Sequence, residues 1–404
     1  MSDAPNLRTG HAIPRGIATT GPVLFSYGFR PFFLGAGIWA IAAMALWIVA
    51  LSTGRSVGGS YGALHWHSHE MLFGFSSAVL AGFLLTAVPN WTGSLPVSGK
   101  PLIMLFGLWV AGRLTLIAPD LIGIGVAVAI DALFLPTLLY ICAREIIAGR
   151  KWKDLKVLAG LTALSVANIA FHYQMLSGAD SAAASRLSVS AYVLLIMIVG
   201  GRVVPSFTRN WLNRFGRTDF PVPYNRFDIA ALWIGLAALS AWVIVPDHPL
   251  TLCLALVAAV VHAVRLYRWR GWTTRREKLL VVLHVAYAFI PAGFLAIAAA
   301  AAGIFNELSA LHVLTVGAMG CMMLAMMGRA TRGHTGRDLS ASRITVLSYA
   351  YLILAALTRP LAEVMPMHFH HLLALAGVLW IAAFAFFLVE YTPMLTRVRR
   401  GRQA

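Results

Sequence analysis

The segment His65-Trp66-His67-Ser68-His69-Glu70-Met71 places three imidazoles and a carboxylate within six residues, just before a long apolar run. Imidazole nitrogen ligates copper, zinc and haem iron alike, so this donor set predicts a metal or haem centre without choosing the metal. If the approach to the apolar run is extended, His65, His67 and His69 share a face. If it is helical, His65 and His69 pair one turn apart. Either way two imidazoles reach one ion, and Glu70 is the candidate proton-delivering group beside them. The competing reading is a set of interfacial histidines anchoring a helix next to Trp66.

Other histidines fall at the same expected depth. His172 lies near the end of one apolar run, His312 at the start of another, and His368, His370 and His371 just before the last. A helical bundle clamps a haem with imidazoles from different helices at one level, and further imidazoles can hold a second metal. His67, His69, His172 and His312 are therefore candidate ligands, while the last three histidines read equally as a solvated loop. A second group sits toward the other end of the runs: Arg202, His284 with Tyr287, Arg329 and His334. Arginines there could hold haem propionates through charge-assisted hydrogen bonds. His284 and His334 fit either a second cofactor site or hydrogen-bonded structural roles. The sequence has no P-loop, Gly-x-Gly-x-x-Gly turn, Gly-x-Ser-x-Gly elbow or His-Glu-x-x-His, which removes nucleotide-driven and hydrolytic functions.

The elements that must position these groups are membrane helices. In 404 residues, 59% are hydrophobic and 12% charged, with a mean hydropathy of +0.77. Crossing about 30 Å of hydrocarbon takes roughly 20 apolar residues, and helices satisfy their own backbone there. Apolar runs and polar breaks predict one all-α bundle of about twelve spans near 32–51, 71–88, 101–118, 121–142, 155–175, 188–204, 227–245, 250–269, 279–302, 310–327, 344–358 and 370–391. Residues 1–27 form an amino-terminal segment, 28–395 the spanning domain and 396–404 a basic tail. No soluble domain and no internal repeat are evident, and residues 1–27 lack the apolar core of a cleaved signal.

An even number of spans puts both termini on one side. Of the 32 Lys and Arg, all but Arg55, Arg186, Arg359 and the in-span Arg113 then fall on that same side. The positive-inside bias makes it the cytoplasm and puts the His65 to Glu70 segment on the external side. The net charge of +17 is thus topology rather than a nucleic-acid surface. Cys142, Cys253 and Cys321 all fall within spans, and no Cys-x-x-Cys-His attaches a c-type haem. Charged groups inside spans are expensive. Asp131 must therefore be neutral, wet or paired, and Arg113 on the preceding antiparallel helix is its expected partner.

Long motifs also carry a resemblance. Ser26-Tyr27-Gly28-Phe29-Arg30-Pro31-Phe32-Phe33, Trp66-His67-x-His69-Glu70-Met71-Leu72-Phe73-Gly74-Phe75, Gly82-Phe83-Leu84-Leu85-Thr86-Ala87 and Pro89-Asn90-Trp91-Thr92-Gly93 resemble the NnrS family of bacterial membrane proteins. So do Gly201-Arg202-Val203-Val204-Pro205-Ser206-Phe207-Thr208, Leu283-His284, Leu311-His312 and Arg329-Ala330-Thr331-x-Gly333-His334-Thr335-Gly336, giving coverage from about 26 to 395. The resemblance implies a haem- and copper-containing protein of the bacterial inner membrane, acting in the nitric oxide response and found with denitrification or nitrosative-stress genes. Its span count is similar to that of haem-copper oxidase and nitric oxide reductase catalytic subunits. His67, His69, Glu70, His284, His312 and His334 match the family pattern as candidates for cofactor ligation or support. His65 and the histidines at 368, 370 and 371 lie outside it.

The resulting expectation is haem b held through His67 or His69 together with His312, with copper on the remaining imidazoles and nitric oxide as the ligand turned over. Nitric oxide is small, neutral and lipid-soluble, and needs no charged entrance. Turnover also requires an electron donor, which the sequence leaves open. Two other functions fit the same residues: non-catalytic binding of nitric oxide or protection of iron, and transport of a metal or haem.

Overall fold

The computed structural model describes residues 21–55 and 57–399, and it contains no strand among them. Twelve helices among these residues are long and apolar enough to cross a membrane: α1 Phe29–Thr53, α2 Ala63–Thr92, α3 Lys100–Ile117, α4 Ile124–Ala148, α5 Trp152–Leu176, α6 Ala182–Arg214, α7 Arg226–Ile244, α8 Pro249–Arg268, α9 Lys278–Ala301, α10 Glu307–His334, α11 Arg343–Val364 and α12 Pro366–Thr396. The chain is a multi-pass membrane protein. The start of α1 and the end of α12 define what is called here the terminal face.

Several helices outrun the apolar windows that announced them. The windows 71–88, 188–204 and 310–327 become Ala63–Thr92, Ala182–Arg214 and Glu307–His334. Helix continues through polar residues because backbone bonds, not side-chain hydropathy, propagate it. As a consequence the His65 to Glu70 segment is neither extended nor a rim loop; it forms the first turns of α2.

Two helices change pitch beside a candidate histidine. In α2 the turn Glu70–Phe75 is π-helical, and the Ser76 N–H bonds the Met71 carbonyl five residues back. In α10 the stretch Val313–Gly320 is π-helical and begins right after His312. Such insertions rotate the residues before them relative to those after, and they are frequent at functional sites. Helix α6 packs against both π segments.

Neighbouring spans pack in sequence, and α12 returns to lie against α1. Buried Arg30 closes that seam, donating from Nη1 to the carbonyls of Met394 at 3.3 Å, Leu395 at 2.7 Å and Arg397 at 2.9 Å. These are carbonyls that a helix end leaves without intrahelical partners, at the negative pole of its dipole.

Candidate cofactor cavity and buried charge cluster

Residues two apart on a helix point about 200° apart, so His67 and His69 serve different environments. His67 faces a cavity of about 350 Å³ that it lines with Trp47, His312, Arg186, Arg359 and the methionines Met44, Met71 and Met319. Its ring stacks on Trp47, with centroids 4.4 Å apart and planes 9° apart. Its Nδ1 is buried with no hydrogen-bond partner. Across the cavity, His312 Nδ1 lies 2.7 Å from the Leu308 carbonyl. A carbonyl only accepts, so Nδ1 carries the hydrogen and Nε2 keeps its lone pair, as in a metal-ligating histidine. Arg186 pairs with Glu307 at 2.5 Å and Arg359 with Glu363 at 2.7 Å.

His69 points the other way, into a dry cluster with Glu70, Arg113, Asp131, Asn168 and His172, each at most 3% exposed. Glu70 Oε2 accepts from Trp39 Nε1 at 2.8 Å and lies 3.2 Å from Arg113 Nη1. Arg113 Nη2 donates to Asp131 Oδ1 in a very close contact, the ion pair expected from the antiparallel helices. Asp131 Oδ2 meets His172 Nε2 at 3.0 Å and His69 Nε2 at 3.1 Å, and accepts from Asn168 Nδ2 at 3.1 Å. Tyr61 stands behind His172, with its hydroxyl 3.0 Å from Nδ1. Burial holds the Tyr61 phenol well above its ordinary pKa, with the Glu70 carboxylate adding to the shift, so it remains a neutral hydroxyl. The cluster closes because α2 and α3 present no side chain at two points. A Cβ on Gly74 would collide with Arg113 Nη1 and stand 2.6 Å from Glu70 Oε2, and one on Gly112 would stand 2.9 Å from Asp131 Oδ1.

The remaining expected site residues are at the terminal face. Arg202 is sixteen residues beyond Arg186 on α6, about 24 Å along the axis. It is engaged by Asp154 at 2.9 Å and lies over the Trp91 ring at 5.5 Å. Arg329 lies over the Phe207 ring at 4.1 Å. His284 Nδ1 bonds the Leu280 carbonyl at 3.0 Å and its Nε2 is 3.4 Å from Thr208 Oγ1. His334 packs between Tyr27 and Phe29. None of these four lines the cavity, whose cations are Arg186 and Arg359. Glu70 also lies off the cavity wall, its carboxylate committed to Trp39, His69 and Arg113. His368, His370 and His371 are exposed, but they do not form a loop: His368 ends a 3-10 turn, and His370 and His371 lie in the first turn of the α-helix Phe369–Thr396.

The motifs that fill these two environments, around His67 to Phe75 on α2 and around His312 on α10, lie within a stretch matched as a whole by one family, described as NnrS protein, over residues 23–399. The chain belongs to the NnrS family. No curated protein matches it. In this NnrS-family chain Tyr61, Trp39, Trp47 and Asn168 are the participants that reading the sequence missed. Asn168 was within reach of it, because it stands one turn before His172 on the same face of α5.

Proposed function

We propose that this chain is a haem- and copper-containing protein of the bacterial inner membrane that binds nitric oxide at a haem b in the His67/His312 cavity and turns it over. Support comes first from the donor atoms. The buried, partnerless Nδ1 of His67 and the lone-pair Nε2 of His312 face a cavity of about 350 Å³, within the size range of cofactor pockets. Bound there, the haem would supply a redox-active iron that takes a diatomic gas as ligand. His67 and His312 would hold it from α2 and α10, with Trp47 fixing the plane of the His67 ring. Arg186 and Arg359, on a face with few other cations, would receive its carboxylates. The methionines and Trp380 keep the wall largely apolar, so a neutral gas dissolved in lipid enters without a polar channel. Copper is assigned away from these two imidazoles.

A second reading, binding of nitric oxide without turnover, is favoured by one observation. Reduction needs protons, and Glu70, the expected source, is locked by three partners away from the cavity. Purified protein supplied anaerobically with nitric oxide and a reductant separates the two: sustained consumption supports turnover, and a single stoichiometric uptake supports binding alone. The haem assignment is tested by the reduced-minus-oxidised spectrum. Loss of haem in His67→Ala and His312→Ala, with retention in His284→Ala and His334→Ala, is the expected result, and unchanged haem in the first pair rejects it.

A further inference from the structure

The cluster behind the cavity does not close as a hydrogen-bond network. His69 Nδ1 faces Glu70 Oε1 at 3.1 Å, while its Nε2 faces both Asp131 Oδ2 at 3.1 Å and Asn168 Oδ1 at 3.0 Å. A neutral imidazole has one N–H and one lone pair. Whichever nitrogen carries the hydrogen, the other aims its lone pair at oxygen lone pairs. Turning the Asn168 amide over brings no relief, because its Nδ2 donates to Asp131 Oδ2 at 3.1 Å and the reversed amide would set an oxygen there instead. The charge balance has the same gap. Two buried carboxylates, Glu70 and Asp131, share one guanidinium, Arg113. With both carboxylates ionised one positive charge is missing, and both deficits meet at His69.

We propose that a first-row transition-metal ion supplies it, bound by His69 Nε2, His172 Nε2 and Asp131 Oδ2. The ligand atoms of these three residues lie within 4.8 Å of one another, with each imidazole nitrogen 3.0 or 3.1 Å from the carboxylate oxygen. Ligands about 2.1 Å from an ion and subtending 90° to 109° stand roughly 3.0–3.4 Å apart, which the two nitrogen–carboxylate spacings already meet. The outward nitrogens are already held, His69 Nδ1 by Glu70 and His172 Nδ1 by Tyr61, the arrangement that orients ligating imidazoles. Arg113 occupies Asp131 Oδ1 and leaves Oδ2 for the ion. Two imidazoles and one carboxylate suit copper, zinc or iron and disfavour calcium and magnesium, which take oxygen.

This site is independent of the haem reading, and the test keeps the two apart. The full chain in detergent is exposed separately to copper and zinc salts, desalted and analysed for bound metal. The double variant His67→Ala/His312→Ala, emptied of the cavity imidazoles, should still bind one ion per chain. His172→Ala, which leaves the Glu70–Arg113–Asp131 ion pairs in place, should lose it while keeping haem. Tyr61→Phe should weaken it about 10- to 100-fold. X-ray absorption on the metal-loaded double variant should give nitrogen and oxygen neighbours with imidazole scattering, and this readout serves if His172→Ala does not fold. A double variant that is monodisperse yet binds no ion, or whose ion has sulfur neighbours, overturns the proposal. Such a result would mean that a proton, on His69 or on Glu70, fills the gap.

Discussion

His69 and Glu70 are consecutive residues whose side chains meet, Nδ1 to Oε1 at 3.1 Å, and this contact turns the other imidazole nitrogen onto Asp131. The carboxylate thereby orients the ring. Glu70→Gln should leave haem content unchanged. It should lower metal affinity about 10-fold or more, the usual loss when a group behind a ligating histidine is altered. Metal titration of the purified variant reads this directly. Unaltered affinity would separate Glu70 from the ligand set.

Arg113 is the one guanidinium between two buried carboxylates. In metal-free protein Arg113→Leu removes the one guanidinium paired with both and should destabilise the fold by about 3–5 kcal/mol, measured as a loss of thermal stability in detergent. Adding Glu70→Gln to it should restore part of the loss, because the two sites are in contact and their effects are not additive. Strict additivity would mean that the pair is not energetically coupled.

Gly74 gives the cluster its room. Gly74→Ala should force Arg113 away from Glu70 and destabilise the protein by about 1–3 kcal/mol, the range for an overpacked interior. Gly107→Ala, where an added Cβ meets open space, is the matched control on α3 and should be near neutral. Parallel melting curves compare the two.

Arg186 and Arg359 carry positive charge at the cavity edge. Replacing both with Gln removes charge that stabilises the more reduced, more negative state of any redox group there. The midpoint potential should fall in Arg186→Gln/Arg359→Gln and stay unchanged in Arg202→Gln, whose position on α6 is about 24 Å further along the axis. Spectroscopic redox titration distinguishes these outcomes.

Much of this arrangement was legible before any coordinates. Twelve apolar runs announced twelve helices, and two opposite charges inside adjacent antiparallel spans announced the Arg113–Asp131 pair. The split between His67 and His69 was not legible. It turns on whether the six residues from His65 to Glu70 belong to the helix or precede it, and hydropathy is silent on that point. The locations of Arg202 and Arg329 followed from topology; their partners at the terminal face, Asp154 for one and the Phe207 ring for the other, were not legible because both come from other helices. Arg186 and Arg359, two of the few exceptions to the charge bias, line the cavity, and their rarity is the signal the sequence offers for that position. Tyr61 and Trp39 contribute one polar atom each from mostly apolar rings, which no spacing rule singles out.

The seam that Arg30 makes with the carbonyls of Met394, Leu395 and Arg397 bears on biogenesis. Arg30 at the start of α1 meets its acceptors at the end of α12, more than 360 residues later, so this contact forms only once α12 is in place. A product stopped short of residue 394 would lack all three acceptors and could not close the α1–α12 seam in this way.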